Sequence, residues 1–339
     1  MRPRVLVTAL AVGLALSVVV GCSSTPESGS ASSTSSTSST CSTGSTSATS
    51  GPDGTTVAGG GVPGTDASAD PCPVDPLAVV VSVDQWGDIV EQLGGACADV
   101  TTVFASSSAD PHDYEPTPAD IAEFTGAKLV VVNGVDYDPW AEKAVESLDP
   151  VPAVVNGGEV VGVEEGDNPH IWYSPDYVDQ ISKAVTAELS ELSPEAAAYF
   201  EERAADWEVA MEPYRAEIAA VKEVAAGKSY GATESVFAYM AQAVELEDTT
   251  PEGYRNASAN ESDPAPGDVN EFLQSLGSQS MDVLIYNSQT EGAIPEQIRD
   301  AATSASVPVV DVTESVPPGV TSFVEWQVAQ LRALAEALR

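Results

Sequence analysis

From residue 75 onward the chain alternates short, unbroken runs of β-branched residues with segments of helical character, and this rhythm restricts the fold more than any other feature. Leu77–Val83, Val100–Phe104, Lys128–Val132 and Val151–Val155 are apolar at almost every position, as strands buried on both faces must be. A sheet with one wet face would alternate apolar and polar instead. Thr117-Pro118, Asp138-Pro139 and Ser174-Pro175 each place a capping side chain before a proline, which suits the first helical position, where no N–H is needed. After residue 227 the rhythm returns, with Ser229–Thr233, Asp282–Tyr286 and Val307–Val312 as strands and helices near 234–246, 267–277, 294–305 and 320–338. The prediction is an α/β protein of two lobes, residues 73–192 and 228–339, each a parallel-rich sheet flanked by helices.

What joins the lobes is expected to be one long rigid helix over residues 193–227. No turn signal interrupts this stretch, and Tyr199, Trp207, Met211, Tyr214, Ile218 and Val221 recur at three- and four-residue steps along one face. Pro213 should kink it. A helix of about thirty residues spans roughly 45 Å.

The amino terminus carries a different message. Arg2 and Arg4 precede an apolar run from Val5 to Val20 that closes on Gly21-Cys22, the pattern of an export signal over residues 1–22. A small residue immediately before cysteine resembles the bacterial lipobox, which implies a lipid on Cys22 and anchorage to the outer face of the cytoplasmic membrane. Residues 23–72 are largely Ser, Thr and Gly and should form a disordered tether reaching ~35–40 Å. Outside the cell Cys72 and Cys97, which flank the first strand and helix, are expected as a disulfide or as two free thiols. No Cys-x-x-Cys spacing supports a zinc site on cysteine.

Thirteen basic residues against 52 acidic ones give a net charge of −39, which disfavours nucleic acid and favours cations as partners. Hydrophobic residues make up 43% of the chain, enough for a true core, so the acidity belongs to the surface of a folded protein. Histidine occurs only twice. Both copies follow proline and stand shortly before a capped helix, in Asp110-Pro-His112-Asp-Tyr-Glu-Pro and Asn168-Pro-His170-Ile-Trp-Tyr-Ser-Pro. A stiff loop fixes the direction of a ring nitrogen, and neutral imidazole is the commonest protein donor to borderline divalent metals. Trp172 is either a core residue or a shield over that site. Gly227-Lys228-Ser229 imitates the end of a phosphate-binding loop, but Lys222 stands where the first glycine is required, so no nucleotide site is implied. Residues 249–266, with Glu252, Glu261 and Asp263, read as a mobile acidic loop.

These two histidine motifs resemble the first two metal-ligand motifs of the cluster A solute-binding lipoproteins of zinc and manganese ABC importers, over about residues 75–339. The resemblance implies two lobes on one long helix with a divalent cation, Mn²⁺ or Zn²⁺, between them. It carries His112 and His170 over as ligands. It adds Glu234 in Thr233-Glu234-Ser-Val-Phe-Ala-Tyr, at the start of a helix, and Glu314 in Val312-Thr-Glu314, with Asp311 as the alternative to Glu314. It further implies a monomer, not an enzyme, that docks on a membrane permease driven by a separate ATPase. A zinc metallohydrolase and a metal-dependent surface adhesin are the rival readings.

Overall fold

The computed structural model of the 339-residue chain describes residues 71–105, 114–260, 262–290 and 292–339. The expected signal segment, Cys22, nearly all of the expected tether, and His112 lie outside the described residues. Among those described, no helix is long and apolar enough to cross a membrane.

Two four-stranded parallel sheets form. The first pairs β1 (Leu77–Val83), β2 (Ala98–Phe104), β3 (Leu129–Val132) and β4 (Ala153–Asn156) in the order β2-β1-β3-β4. The second pairs β5 (Ser229–Ala232), β6 (Glu247–Asp248), β7 (Val283–Asn287) and β8 (Val309–Val312) in the matching order β6-β5-β7-β8. In each sheet the strand order therefore switches sides between the first and third strands while all strands stay parallel, and ligands bind beyond the carboxyl ends of the strands at such a switch. Helices follow the strands: α1 (Asp84–Gly94), α2 (Pro118–Glu123), α3 (Pro139–Glu146), α4 (Gly157–Val161) and α5 (Pro175–Leu192) in the first half. The connection comprises α6 (Ala197–Ala210) and α7 (Glu212–Ala225), and the second half adds α8 (Ala238–Ala243), α9 (Glu252–Ala259), α10 (Pro266–Gly277), α11 (Ala293–Ser304) and α12 (Phe323–Ala337).

The unbroken apolar runs of the inner strands β1 and β3 are explained by burial on both faces. The runs of the edge strands β2 and β4 were expected to be buried too but are partly exposed, Val154 by 43%, because an edge strand has a neighbour on one side alone. Val79, Val81 and Val83 of β1 enter the same core as Leu129 and Val131 of β3, while Val80, Val130 and Val132 pack on the opposite face with Phe124 and Ala144. In the second sheet Val283 and Ile285 face inward and Leu284 outward, against Phe272 and Ile298. The inward faces of both sheets belong to one continuous core that also takes Trp207, Met211 and Tyr214 of the connection and Phe323, Trp326 and Leu331 of α12. The lobes thus share apolar packing as well as the connecting helix.

That connection is helical throughout but interrupted at Met211, whose backbone (φ −79°, ψ −8°) ends α6 and begins α7 two residues before Pro213. Pro213 supplies no N–H, and its ring crowds the preceding turn; the Met211 N–H still reaches the Trp207 carbonyl at 3.0 Å. Two local expectations are corrected. The helix near 234–246 is shortened to α8, with Thr233–Phe237 in a turn before it. The stretch 249–266 carries helix α9, its buried Tyr254 against Phe272 with ring centroids 4.8 Å apart. The two-residue edge strand β6 is too short to leave a periodic trace. Cys72 and Cys97 are disulfide-bonded, tying the chain before β1 to the turn before β2.

Helix α1 also reaches across to the second half. Asp84 Oδ2 accepts from the Val316 N–H at 3.3 Å, and Asp88 Oδ2 from the Phe323 N–H at 2.7 Å at the start of α12. Asp84 Oδ1 is buried with no hydrogen-bond partner among the described residues. Burial pushes the Asp84 carboxyl up to about 7, outweighing the lowering by Val316, and raises Asp88 as well. A carboxyl raised in the folded state contributes stability that is present below its unfolded value near 4 and is lost as pH rises through about 7. Between pH 4 and 8 the metal-free protein should therefore lose on the order of 2–4 kcal/mol of unfolding free energy relative to Asp84→Asn. Denaturant titrations of both proteins across that range check this, and parallel curves would exclude Asp84 as the group responsible.

Candidate metal site

His170 is set by the polar groups at the carboxyl end of the first sheet. Asp138, at the start of α3, was expected to cap that helix; it makes no cap bond and turns inward. Fully buried, its carboxylate accepts from the Asn133 N–H at 2.8 Å and the Gly134 N–H at 2.9 Å, and from the Ser82 hydroxyl. Burial raises its pKa against the lowering by these donors. Asn133, held this way, accepts from the Trp86 indole at 3.1 Å and donates to the Pro169 carbonyl at 3.0 Å. The residue before His170 is thereby tied to β3. The residues after it, Ile171, Trp172 and Tyr173, are 0% exposed and form one tight turn before Ser174 caps α5 by accepting from the Tyr177 N–H at 3.4 Å.

The imidazole is fixed on all sides. Asn168 Oδ1 accepts from the His170 backbone N–H at 3.0 Å and lies 2.6 Å from Nδ1. Tyr137 and Trp172 stand edge-on to the ring, with centroids 6.2 and 5.3 Å away. Trp172 is a core residue behind the histidine. On the open side His170 Nε2 meets Glu314 Oε1 at 2.9 Å, each residue only 4% exposed. A contact this short between a ring nitrogen and a carboxylate requires one proton between them.

Glu314 comes from the second half, in the loop that follows β8. Gln289 Oε1 accepts from the Glu314 and Ser315 N–H groups at 2.6 and 2.9 Å, and Gln85 of α1 donates to the Glu314 carbonyl at 3.0 Å. Thr313 is held by Tyr173, whose hydroxyl donates to its carbonyl at 2.7 Å. Asp311, the alternative, is an exposed residue within β8 and does not line the cavity described below.

Glu234 follows the carboxyl end of β5, in the turn rather than on a helix. Asn287 Nδ2 donates to its Oε2 at 2.5 Å, and the Thr290 hydroxyl donates to Oε1. His170, Glu234 and Glu314 line one cavity of about 550 Å³, closed further by Tyr254, Asp263 and Ile294. Burial first, and the Glu234 charge second, keep the Tyr254 phenol protonated. A cation with six waters needs roughly 200 Å³ at ~30 Å³ per water, so the cavity admits one. Among the described residues no three His, Cys, Asp or Glu side chains gather closely enough to hold an ion by themselves. The structure brings His170 and Glu314 into contact and puts Glu234 on the same wall; His112 lies outside the described residues.

Sequence reasoning missed the groups that hold the His170 loop and the acids: Asn133 for the former, and Gln85, Asn287, Gln289 and Thr290 for the latter. Their only signal is position, since each stands at or just beyond the carboxyl end of β1, β3 or β7.

Two matching parallel sheets bring an imidazole and a carboxylate into contact beyond their carboxyl ends, with a second carboxylate on the same cavity wall. The chain belongs to the family described as zinc-uptake complex component A, periplasmic (ZnuA), which matches residues 79–337. It is 35% identical over 145 residues to the iron-binding protein YfeA of Yersinia pestis, covering 39% of this chain and 46% of that one. It is 27% identical over 205 residues to the high-affinity zinc uptake system protein ZnuA of Bacillus subtilis, covering 55% and 64% respectively. The chain thus spans less than two thirds of these relatives. The fold is shared with the solute-binding protein FpvC of Pseudomonas aeruginosa in complex with Mn²⁺, with a TM-score of 0.63 and 20% identity over 78% of this chain and 98% of that one.

Replacing Gln289 by Ala removes the acceptor for two N–H groups in the Glu314 loop. It should cost about 1–3 kcal/mol in unfolding free energy, measured by urea titration, whereas Gln279→Ala, on the exposed turn after α10, should cost under about 1 kcal/mol.

Proposed function

We propose that this protein is the extracytoplasmic solute-binding component of an ABC importer, capturing one divalent transition-metal ion, Mn²⁺ or Zn²⁺, between its lobes. The observation that carries this reading is the buried contact of His170 Nε2 with Glu314 Oε1 across the two halves. The pair offers one nitrogen and one carboxylate, held by bonds that do not involve the ligating atoms. Glu234 supplies a second carboxylate from the same cavity wall, and His112 a second imidazole. Two neutral imidazoles and two carboxylates around M²⁺ sum to zero formal charge, which avoids an uncompensated buried ion.

Loading is an exchange. The proton shared by His170 and Glu314 leaves as the ion arrives, so the lone pair of Nε2 and the oxygens of Glu314 turn from each other to the metal. The ion is cargo, and the loaded protein passes it to a membrane permease energised by a separate ATPase. Export through residues 1–22, a lipid on Cys22 and a tether over 23–72 would keep the carrier beside that permease. Family membership supports transport over the metallohydrolase and adhesin readings.

The carboxylate-rich donor set favours Mn²⁺ modestly, while the Irving–Williams order favours Zn²⁺ on any mixed N/O site. Competition titration of chelator-stripped protein decides between them. One ion per chain is expected, with affinity falling about tenfold per pH unit below neutrality for each displaced proton. His112→Ala and His170→Ala should each weaken binding by roughly 100-fold or more while the circular dichroism spectrum is kept. Wild-type affinity in His112→Ala would remove that residue from the site. Normal metal uptake by metal-starved cells lacking the gene would refute transport.

A further inference from the structure

Resting on the metal-binding reading above, we infer that Asn168 is a positioning residue that couples the orientation of His170 to the seating of the second lobe, so that the grip on the ion depends on lobe contact. The direction of its amide follows from its partners. The His170 backbone N–H, 3.0 Å away, can only donate, so the atom it meets is Oδ1. The Ser235 carbonyl, 2.9 Å from the other end of the amide, can only accept, so the atom there is Nδ2. With Oδ1 fixed, His170 Nδ1 at 2.6 Å must carry a proton, and Nε2 is left as the nitrogen that faces Glu314 and the cavity. One amide therefore selects the ligating nitrogen.

The same residue is bonded twice to the opposite half. Besides the Nδ2 bond to Ser235, the neighbour of Glu234, its main-chain carbonyl accepts from the Tyr239 hydroxyl of α8 at 2.9 Å. Tyr239 also packs against Tyr177 of α5, with ring centroids 5.3 Å apart. Separating the 235–239 segment from the first lobe breaks both bonds and frees the Asn168 amide to rotate. His170 then loses its fixed tautomer when the Glu234 wall withdraws. Grip and release follow from one contact.

Asn168→Asp separates the two roles. A carboxylate still accepts from the His170 N–H and Nδ1, but it cannot donate to Ser235. Asn168→Ala removes both, and Tyr239→Phe removes only the second lobe bond. The full chain is loaded with Zn²⁺, and release to excess chelator is followed by stopped flow. The ¹⁵N shifts of its two histidine rings report which nitrogen is protonated. Asn168→Ala should bind Zn²⁺ about 10–100-fold more weakly and lose the uniform Nδ1–H signature of His170. Asn168→Asp should keep that signature and release Zn²⁺ about 3–10-fold faster, as should Tyr239→Phe. Wild-type release rates in Asn168→Asp and Tyr239→Phe overturn the coupling, and wild-type affinity with an unchanged ring signature in Asn168→Ala overturns the positioning role. A wild-type chain that takes up no Zn²⁺ or Mn²⁺ overturns the metal-binding reading itself.

Discussion

His170 and Glu314 come from opposite halves of the chain and stand 2.9 Å apart at 4% exposure. A buried pair of titratable groups is tolerated only when its remaining polar atoms are satisfied and its geometry is held. Much of the polar interior serves that requirement. Asn168 faces the second ring nitrogen, Gln289 and Gln85 take up the main chain of Glu314, and Tyr173 secures the carbonyl before it. The contact spans both lobes, so a displacement of either one alters the site directly.

The placement follows from sheet topology. Both sheets share one strand order, and in each the chain leaves the first and third strands in opposite directions. Gln85 and Asn133 flank this divergence in the first sheet, and Glu234 and Asn287 flank it in the second. At these strand ends the ladder runs out, so side-chain amides and carboxylates there find partners. Asp138 is the extreme case. A carboxylate with no exposed surface is costly to bury, yet three donors converge on it and the loop it organises carries Asn133 to the Pro169 carbonyl. Sequence proximity to a proline suggested a helix cap; the stronger demand of buried N–H groups in the loop claimed the side chain.

How far the fold was legible depended on the range of the interactions that make it. Val79, Val80 and Val81 announce a strand buried on both faces because pleating alternates their sides and all three are apolar. The kink at Met211 follows from a missing N–H two residues away. His170 and Glu314 were visible through their motifs. By contrast, β6 consists of two residues and exists only because it pairs with β5, and α9 is kept by Tyr254 packing on Phe272, a contact its polar composition does not advertise. Gln289 is an ordinary loop glutamine until the Glu314 loop arrives from 25 residues further along. Long-range pairing of neutral amides leaves no periodicity, so the acids could be read and the groups that aim them could not.

The acidic surface and the buried site act on different length scales. A net charge of −39 raises the local concentration of any cation, but at physiological ionic strength this field decays over ~8 Å and is indifferent to ion identity. It cannot separate Mn²⁺ from Ca²⁺ or Mg²⁺. Discrimination must come from donors that hard cations use poorly, and the imidazole nitrogen is the one soft enough to matter. Under the proposed function, the orientation of the imidazole rings would therefore carry more of the selectivity than dozens of surface carboxylates, and the neutral side chains around His170 hold one such ring in place.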